Sequence, residues 1–158
     1  MYTIGDKIVY PMHGAGTIES IEEKEILGEK RRYYVLRMPI GDMKVMIPIS
    51  NVEETGLRPV IDEEGVSKVL DILKEEETPM SNNWNRRYRN NLDKIKSGNI
   101  YELAEVVRNL SSRDKEKGLS TGEKKMLENA RQILISELVL VKGDGAEEIE
   151  ALLEECLA

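Results

Sequence analysis

One stretch of the sequence, Ser81 to Arg89, combines residue types that suit contact with nucleic acid. It contains the only tryptophan of the chain, Trp84, and an aromatic ring among cations can stack on a base or wedge between bases. Basic side chains able to bind phosphate follow within five residues: Arg86, Arg87 and Arg89. A helix N-terminus at this point would add a partial positive charge that also favours phosphate.

The same tryptophan also fits an ordinary helical core. The polar residues directly before it are all candidate N-caps, because each can accept a hydrogen bond from a free backbone N–H: Ser81, Asn82 and Asn83. In the helix that follows, apolar side chains recur with Trp84 at spacings of four, four and three: Tyr88, Leu92 and Ile95. These residues alone therefore leave open whether Trp84 contacts DNA or fills a core.

The charge distribution favours a basic surface in the middle of an acidic chain. The net charge is -7, whereas nucleic-acid binders usually carry a basic surface. Residues 81–117 hold nine Lys and Arg against five Asp and Glu, residues 60–80 hold two against seven, and residues 143–158 hold none against six. The basic block lies between two acidic blocks, and Trp84 stands near its start.

Composition argues against several other classes of protein. The sequence has no run of about 20 apolar residues that would span a bilayer, and it does not open on a secretory signal, so we expect a cytoplasmic protein with no membrane contact. Cys156 and His13 are each the only residue of their type, which excludes an intramolecular disulfide and a Cys/His zinc site. Phosphate-binding glycine loops and nucleophile elbows are absent. We predict no catalytic site, no metal, no cofactor and no small-molecule substrate.

Short alternating segments predict strands over the first 52 residues. The expected strands are residues 7–10, 16–21, 32–38 and 43–48. Turn signals separate them, and the second turn is expected at Leu27–Lys30. Strands this short, with so few residues between them, favour a small antiparallel barrel over a parallel sheet.

From Asp62 the apolar spacing becomes helical. The first helix should end before Pro79, and the second should run from near Trp84 to Ser97. Asn99 and Ser120 are the expected caps of the third and fourth helices, Ser120 in a capping box with Glu123, and a short acidic helix should follow residues 143–145. The predicted fold is α+β, with a barrel domain over residues 1–60 and an all-α domain over residues 61–158.

Four phrases of the sequence, in order and at the right spacing, resemble one family. They lie at Gly5–Gly14, at Ile47–Arg58, at Asn83–Tyr88 and at Gly118–Leu134, and within them the most telling letters are VYPMHG, NWNRRY and GLSTGEKKML. The chain resembles, nearly end to end, the bacterial CarD-type transcription regulators, which are also called CdnL.

The resemblance implies a Tudor-like or SH3-like barrel that binds the β subunit of RNA polymerase, a module shared with transcription-repair coupling factors. It also implies a helical domain that binds promoter DNA, with Trp84 in the minor groove at the upstream edge of the transcription bubble, where it stabilises the open promoter complex. The positions that correspond to the polymerase-facing strands are Lys24, Ile26, Lys44 and Met46. Met46 departs from the basic residue expected there.

We therefore predict a non-enzymatic, monomeric transcription regulator that bridges polymerase and promoter DNA. The expected DNA contacts are Trp84, Arg86, Arg87, Arg89, Arg113, Lys124 and Lys125. The alternative is a protein-interaction module that docks on polymerase or on a repair factor without touching DNA. DNA binding by the helical part at low salt would separate the two.

Overall fold

The computed structural model describes residues 2–49 and 56–158, so residues 1 and 50–55 of the expected barrel domain lie outside the description. Within the described ranges, five strands precede five helices, which confirms the α+β order. The strands are β1 (Lys7–Tyr10), β2 (Gly14–Ile26), β3 (Glu29–Arg37), β4 (Lys44–Pro48) and β5 (Arg58–Pro59). The helices are α1 (Glu63–Lys74), α2 (Trp84–Lys96), α3 (Ile100–Glu116), α4 (Thr121–Lys142) and α5 (Ala146–Leu157).

The strands form an antiparallel sheet in the order β4-β3-β2-β1-β5. Because side chains alternate between the two faces of a strand, one face carries the apolar residues that pack together. This cluster consists of Ile8, Ile18, Tyr34, Leu36, Met38 and Ile47. A register shift between Ile18 and Ser20 marks a bulge in β2, which bends a strand and increases its twist.

Strands β2 and β3 are longer than the sequence predicted. They continue to Ile26 and resume at Glu29, so only Leu27 and Gly28 make the turn that was expected over four residues. Both turn residues have positive φ, 52° and 81°, as a two-residue hairpin of type I′ requires. The apolar alternation stops before the strands do, because this end of the hairpin projects beyond the core and is exposed on both faces.

The helices begin and end close to the expected residues because their caps are local. Asn99 accepts hydrogen bonds from the backbone N–H groups of α3, Ser120 caps α4, and Gly143 ends α4 in a left-handed conformation. Apolar faces of all five described helices meet in a second cluster, which includes the fully buried Leu110, Leu134, Leu138, Ile149 and Leu153.

Helix α4 also packs against the N-terminal sheet. The Ser136 hydroxyl accepts a hydrogen bond of 2.9 Å from the backbone N–H of Ala15, at the start of β2. Gly14 has φ of 115°, and a Cβ there would lie 2.8 Å from the Ser136 oxygen, so only glycine fits this approach. The sheet and the helices therefore share a tight junction.

A bidentate ion pair completes the junction. Arg58, on β5, donates hydrogen bonds of 2.8 and 2.7 Å to the two carboxylate oxygens of Glu137 on α4. The same carboxylate accepts a 2.9 Å bond from the backbone N–H of Ile61, and Arg58 Nε donates to the Gly98 carbonyl at 2.7 Å. The Glu137 carboxylate thus joins α4 both to β5 and to the chain that leads to α1.

Candidate nucleic-acid interface

Trp84 is the first residue of α2 and projects from the helical bundle. Of the three candidate caps, Asn83 is the one used, because its side chain accepts a hydrogen bond from the Arg86 backbone N–H. The Trp84 side chain is 41% exposed, and only the later members of the predicted stripe pack into the core, with Ile95 buried and Leu92 and Tyr88 partly buried. The core alternative therefore holds for the end of α2 but not for Trp84.

The indole of Trp84 is held in one orientation by two neighbours. Its ring stacks on Tyr88, one helical turn later, with centroids 5.0 Å apart and planes inclined by 20°. Its Nε1–H donates a 2.9 Å hydrogen bond to the hydroxyl of Ser120, the cap of α4. Gly122 borders the pair, since a Cβ there would lie 3.6 Å from the indole and 3.8 Å from the Tyr88 ring. The N-termini of α2 and α4 thus meet at Trp84.

Arg87 does not face solvent, which corrects its assignment as a phosphate contact. Its side chain is 4% exposed and donates hydrogen bonds of 2.8 and 3.0 Å to the two carboxylate oxygens of Glu123. A third bond runs to the Ser81 carbonyl at 3.1 Å. The spacing of the three arginines gave no sign of this, because the partner carboxylate lies 36 residues away.

The pair is electrostatically coupled to Ser120. The hydrogen bonds from Arg87 hold the pKa of the Glu123 carboxyl below its usual value, against the desolvation that burial imposes. The hydrogen bonds to Glu123 raise the pKa of Arg87 in turn. The Ser120 hydroxyl donates to Glu123 at 3.1 Å while it accepts from Trp84, so a continuous network joins Arg87, Glu123, Ser120 and Trp84.

The other predicted DNA contacts differ in exposure. Arg86 and Arg89 on α2 are exposed, as are Lys124 and Lys125 near the start of α4. These four cations therefore lie on the two helices that meet at Trp84. Arg113 is different. It lies near the end of α3, is partly buried, and lines a cleft with Asn82 and Pro79.

Sequence reasoning missed the residues that orient Trp84. It gave Tyr88 only as a member of a possible core stripe, placed Ser120 and Glu123 in a capping box, and assigned Arg87 to DNA. The spacing of four between Trp84 and Tyr88 does signal a possible stack on one helix face. The contact between the starts of α2 and α4 has no local signal, because it depends on how distant helices pack.

The predicted polymerase-facing residues all lie on the sheet face opposite the apolar cluster. Met46 pairs with Val35, Lys44 with Arg37, Lys24 with Arg31 and Ile26 with Glu29. These four β3 partners have odd numbers and alternate with Tyr34 and Leu36 of the apolar cluster, which places them, and the residues opposite them, on the other face. On that face Val35 is buried, at 5% exposure, whereas Glu29, Arg31 and Arg37 are exposed. Eight residues of β3, about 26 Å, separate the Lys44 and Ile26 rows, so the four residues form two groups.

Among residues 2–49 and 56–158, two strand edges of the sheet have no partner strand. Strand β4 pairs only with β3, and the segment Ser20–Ile26 of β2 also pairs only with β3. Near the tip, Ile26 is 50% exposed and Leu27 fully exposed. Lys44 pairs with Glu19 at 3.0 Å, and both side chains reach solvent.

The residues considered for other chemistry are engaged elsewhere. The His13 ring stacks on Tyr10 with centroids 4.3 Å apart. Burial of Cys156 raises the pKa of its thiol, which disfavours the reactive thiolate. In the described ranges no cluster of three His, Cys, Asp or Glu side chains is placed to hold a metal ion. None of the helices described is long and apolar enough to cross a membrane.

Comparison with known proteins finds the same family over both parts of the chain. Residues 68–154 match the family model described as CarD, C-terminal domain, and residues 2–61 match that of the CarD-like/TRCF RID domain. A protein of Bacillus subtilis (strain 168), described as a putative transcription factor, YdeB, is 51% identical over 151 residues, which cover 96% of this chain and 99% of the relative.

Two solved structures of N-terminal domains from Myxococcus xanthus align with part of the chain. The 72-residue N-terminal domain of CarD is 30% identical, with 37% of this chain and 79% of that domain covered and a TM-score of 0.33. CdnLNt is 43% identical, with 40% and 89% covered and a TM-score of 0.35. The C-terminal model alone spans more than half of the sequence. The resemblance carried by the four phrases is confirmed, and the chain belongs to the CarD family of transcription regulators.

Proposed function

We propose that this regulator bridges RNA polymerase and promoter DNA and stabilises the open promoter complex. In this proposal a sheet domain of residues 1–60 binds the β subunit, and a helical domain of residues 61–158 contacts DNA. Trp84 enters the minor groove at the upstream edge of the transcription bubble. The protein acts as a monomer and catalyses no reaction.

The observation that carries the proposal is the surface at Trp84. An indole that is 41% exposed is unusual for so large an apolar side chain, and this one stands where two helix N-termini meet. Each N-terminus carries a partial positive charge that attracts phosphate. The exposed cations Arg86, Arg89, Lys124 and Lys125 lie within the first two turns of the same two helices. Arg87 is left out of the contact set, because its charge is already bound by Glu123.

A wedge stabilises the melted promoter only if it binds the open fork better than closed duplex, because a ligand of equal affinity shifts no equilibrium. Stacking on an unpaired base supplies such a difference, since that face of the base is covered in duplex. One stacked base is worth about 1–3 kcal/mol, which corresponds to an open-complex lifetime changed roughly 5- to 150-fold.

Polymerase binding supplies the proximity that the DNA contact needs. A chain of net charge -7 should bind DNA weakly by itself. Binding to polymerase through the sheet would raise the effective local concentration of the Trp84 surface at the promoter, so a weak DNA contact can still be occupied there. We expect the free protein to bind linear duplex no better than non-specific binders, about 10⁻⁴–10⁻⁶ M at physiological salt, and to lose affinity as salt rises.

The sheet offers a matching surface for polymerase. A partner strand can pair with the open edge of β4 or of the β2 segment Ser20–Ile26, with main-chain hydrogen bonds giving affinity and side chains giving selectivity. Charge reversal by Lys24→Glu or Lys44→Glu should then weaken capture of the β subunit and leave DNA binding unchanged. Lys68→Glu, on the exposed side of α1, is the matched control. Undiminished capture by both sheet variants would count against this surface.

The test of the whole proposal is the lifetime of open promoter complexes after challenge with a competitor. The wild-type protein should lengthen the lifetime, and Trp84→Ala should abolish most of this effect while still binding polymerase. A thermal melt of Trp84→Ala is the control, because a buried core tryptophan would cost about 3–5 kcal/mol of stability. Equal lifetimes with wild type and Trp84→Ala would support the alternative, a module that docks on protein without touching DNA.

A further inference from the structure

Only one face of the Trp84 indole is open to a ligand. The other face stacks on Tyr88 at a centroid distance of 5.0 Å, which leaves no room for a base between the rings. Along the edge, Gly122 lies against the indole and Tyr88. Because Tyr88 covers one face, a base that stacks on the exposed Trp84 must use the opposite face.

The indole also has no free hydrogen-bond donor. Tryptophan carries a single donor, the Nε1–H, and Ser120 already accepts it at 2.9 Å. The Ser120 oxygen is fixed from the other side, because it accepts the Glu123 backbone N–H at 3.2 Å and donates to the Glu123 carboxylate at 3.1 Å. The buried Arg87 holds that carboxylate in place.

We propose that Trp84 is a one-faced plate that caps the last base at the open fork, and that Ser120 and Tyr88 are the positioning residues that present it. This inference rests on the proposed function and specifies how the contact is made. Intercalation between two bases requires two free faces, and Trp84 has one. A hydrogen bond to a base edge requires a free donor, and the Nε1–H is committed to Ser120. The contact is therefore stacking alone, which tolerates any base.

The contacts with Ser120 and Tyr88 hold the Trp84 indole in a fixed orientation before DNA binds. A side chain that is already in its bound orientation loses less conformational freedom on binding, so pre-organisation improves affinity. Without the Ser120 hydroxyl the indole can rotate away from Tyr88, and only a fraction of molecules then presents the stacking face. A net hydrogen-bond contribution corresponds to about a fivefold change in that fraction, and the open-complex lifetime should shorten by a similar factor.

The first experiment measures how freely the Trp84 side chain rotates in the protein without DNA. Because Trp84 is the only tryptophan, fluorescence excited at a wavelength that the six tyrosines do not absorb reports on this residue alone. Ser120→Ala should lower the fluorescence anisotropy, and Ser120→Thr, which keeps the hydroxyl, should restore it. Asp62→Ala is the matched control, because it removes the cap of α1 and leaves Trp84 untouched. Unchanged anisotropy in Ser120→Ala would overturn the positioning role.

The second experiment determines whether one face or both faces of the Trp84 indole stack on bases. Promoters carrying 2-aminopurine at single positions around the upstream fork are bound by polymerase and the full-length protein. A one-faced plate should change the fluorescence at one position and leave the next base unaffected, whereas intercalation would change two neighbouring positions and overturn the proposal. Tyr88→Ala uncovers the second face, so we expect the single-position response to weaken or spread.

The two experiments separate this inference from the proposed function. If the regulator does not stack on promoter DNA at all, Trp84→Ala leaves the open-complex lifetime unchanged and no 2-aminopurine position responds, which rejects both proposals. If the lifetime depends on Trp84 while Ser120→Ala keeps both anisotropy and lifetime at the wild-type value, the DNA contact stands and the positioning network is rejected.

Discussion

Two bidentate arginine–glutamate pairs, one at the start of α4 and one in its second half, hold different parts of the molecule. Arg87 and Glu123 are both buried, at 4% and 2% exposure, and join α2 to the start of α4 below Trp84. Arg58 and Glu137 join the last strand to the second half of α4, and Arg58 keeps 27% of its side chain exposed. The first pair is sealed from water, and the second is open on the arginine side.

The comparison shows α4 as the common support of two surfaces. Glu123 and Glu137 are about 21 Å apart along a continuous helix, which spans Thr121–Lys142. One end carries the network that orients Trp84, and the other end carries the junction with the sheet. A sheet bound to polymerase would therefore place the tryptophan at a defined distance, without a flexible linker between the two.

The largest effect is expected from breaking the sealed pair. Glu123→Ala leaves the Arg87 guanidinium buried without a carboxylate, which should cost about 3–5 kcal/mol of unfolding free energy. Urea unfolding measures this, with Glu128→Ala, an exposed change on the same helix, as the control. Replacing both members by Arg87→Met with Glu123→Leu should recover most of the loss, because no buried charge then remains. A loss below about 1 kcal/mol for Glu123→Ala would mean that Arg87 finds water.

A smaller effect is expected at the open pair. Glu137→Ala removes the acceptor of Arg58 and of the Ile61 backbone N–H, but the partly exposed Arg58 can be rehydrated, so we expect about 2–3 kcal/mol. The change should also loosen the contact between sheet and helices. Hydrogen exchange should rise at Ala15 and Ile61 and stay unchanged at the start of α4. If Glu137→Ala raised hydrogen exchange equally throughout the chain, the result would contradict a local effect on this junction.

The smallest effect is expected when the stability conferred by Glu123 is measured at acidic pH. The pKa of Glu123 is lowered in the folded protein, so its contribution to stability is present above the unfolded value of about 4.3 and is lost as pH falls through the folded value. The stability difference between wild type and Glu123→Gln should be constant from pH 7 to about pH 5 and should shrink below about pH 4. Urea unfolding across this range tests it, and a difference that persists unchanged to pH 3 would contradict the coupling.

Local signals in the sequence predicted most of the helical fold. Caps such as Asn99 and Ser120 act on backbone N–H groups two or three positions later, so they can be identified without knowledge of the tertiary structure. The hairpin tip at Leu27 and Gly28 was placed correctly, but the strand ends were not, because exposed strands held by backbone pairing need no apolar alternation.

The candidate site was predicted less completely, for a physical reason. Trp84 stood out by residue type, yet its exposure depends on how far α2 extends beyond the bundle, which spacing does not encode. Arg87 looked like its neighbours Arg86 and Arg89 until Glu123, 36 residues away, was brought beside it. Whether a charged side chain faces solvent or a buried partner is decided by packing between helices.

We propose that the Trp84 surface lies on promoter DNA at the upstream edge of the bubble while the sheet binds polymerase. The most direct measurement is hydroxyl-radical cleavage from a probe tethered to Asn85→Cys, the exposed neighbour of Trp84, in a Cys156→Ala background. A probe on Glu148→Cys, in the exposed acidic part of α5, is the control. In open complexes the probe at residue 85 should cleave only a few bases at the upstream edge of the bubble. The probe at residue 148 should not cleave there. Equal cleavage from both sites, or no DNA cleavage from residue 85 in a complex that retains polymerase, would contradict the account.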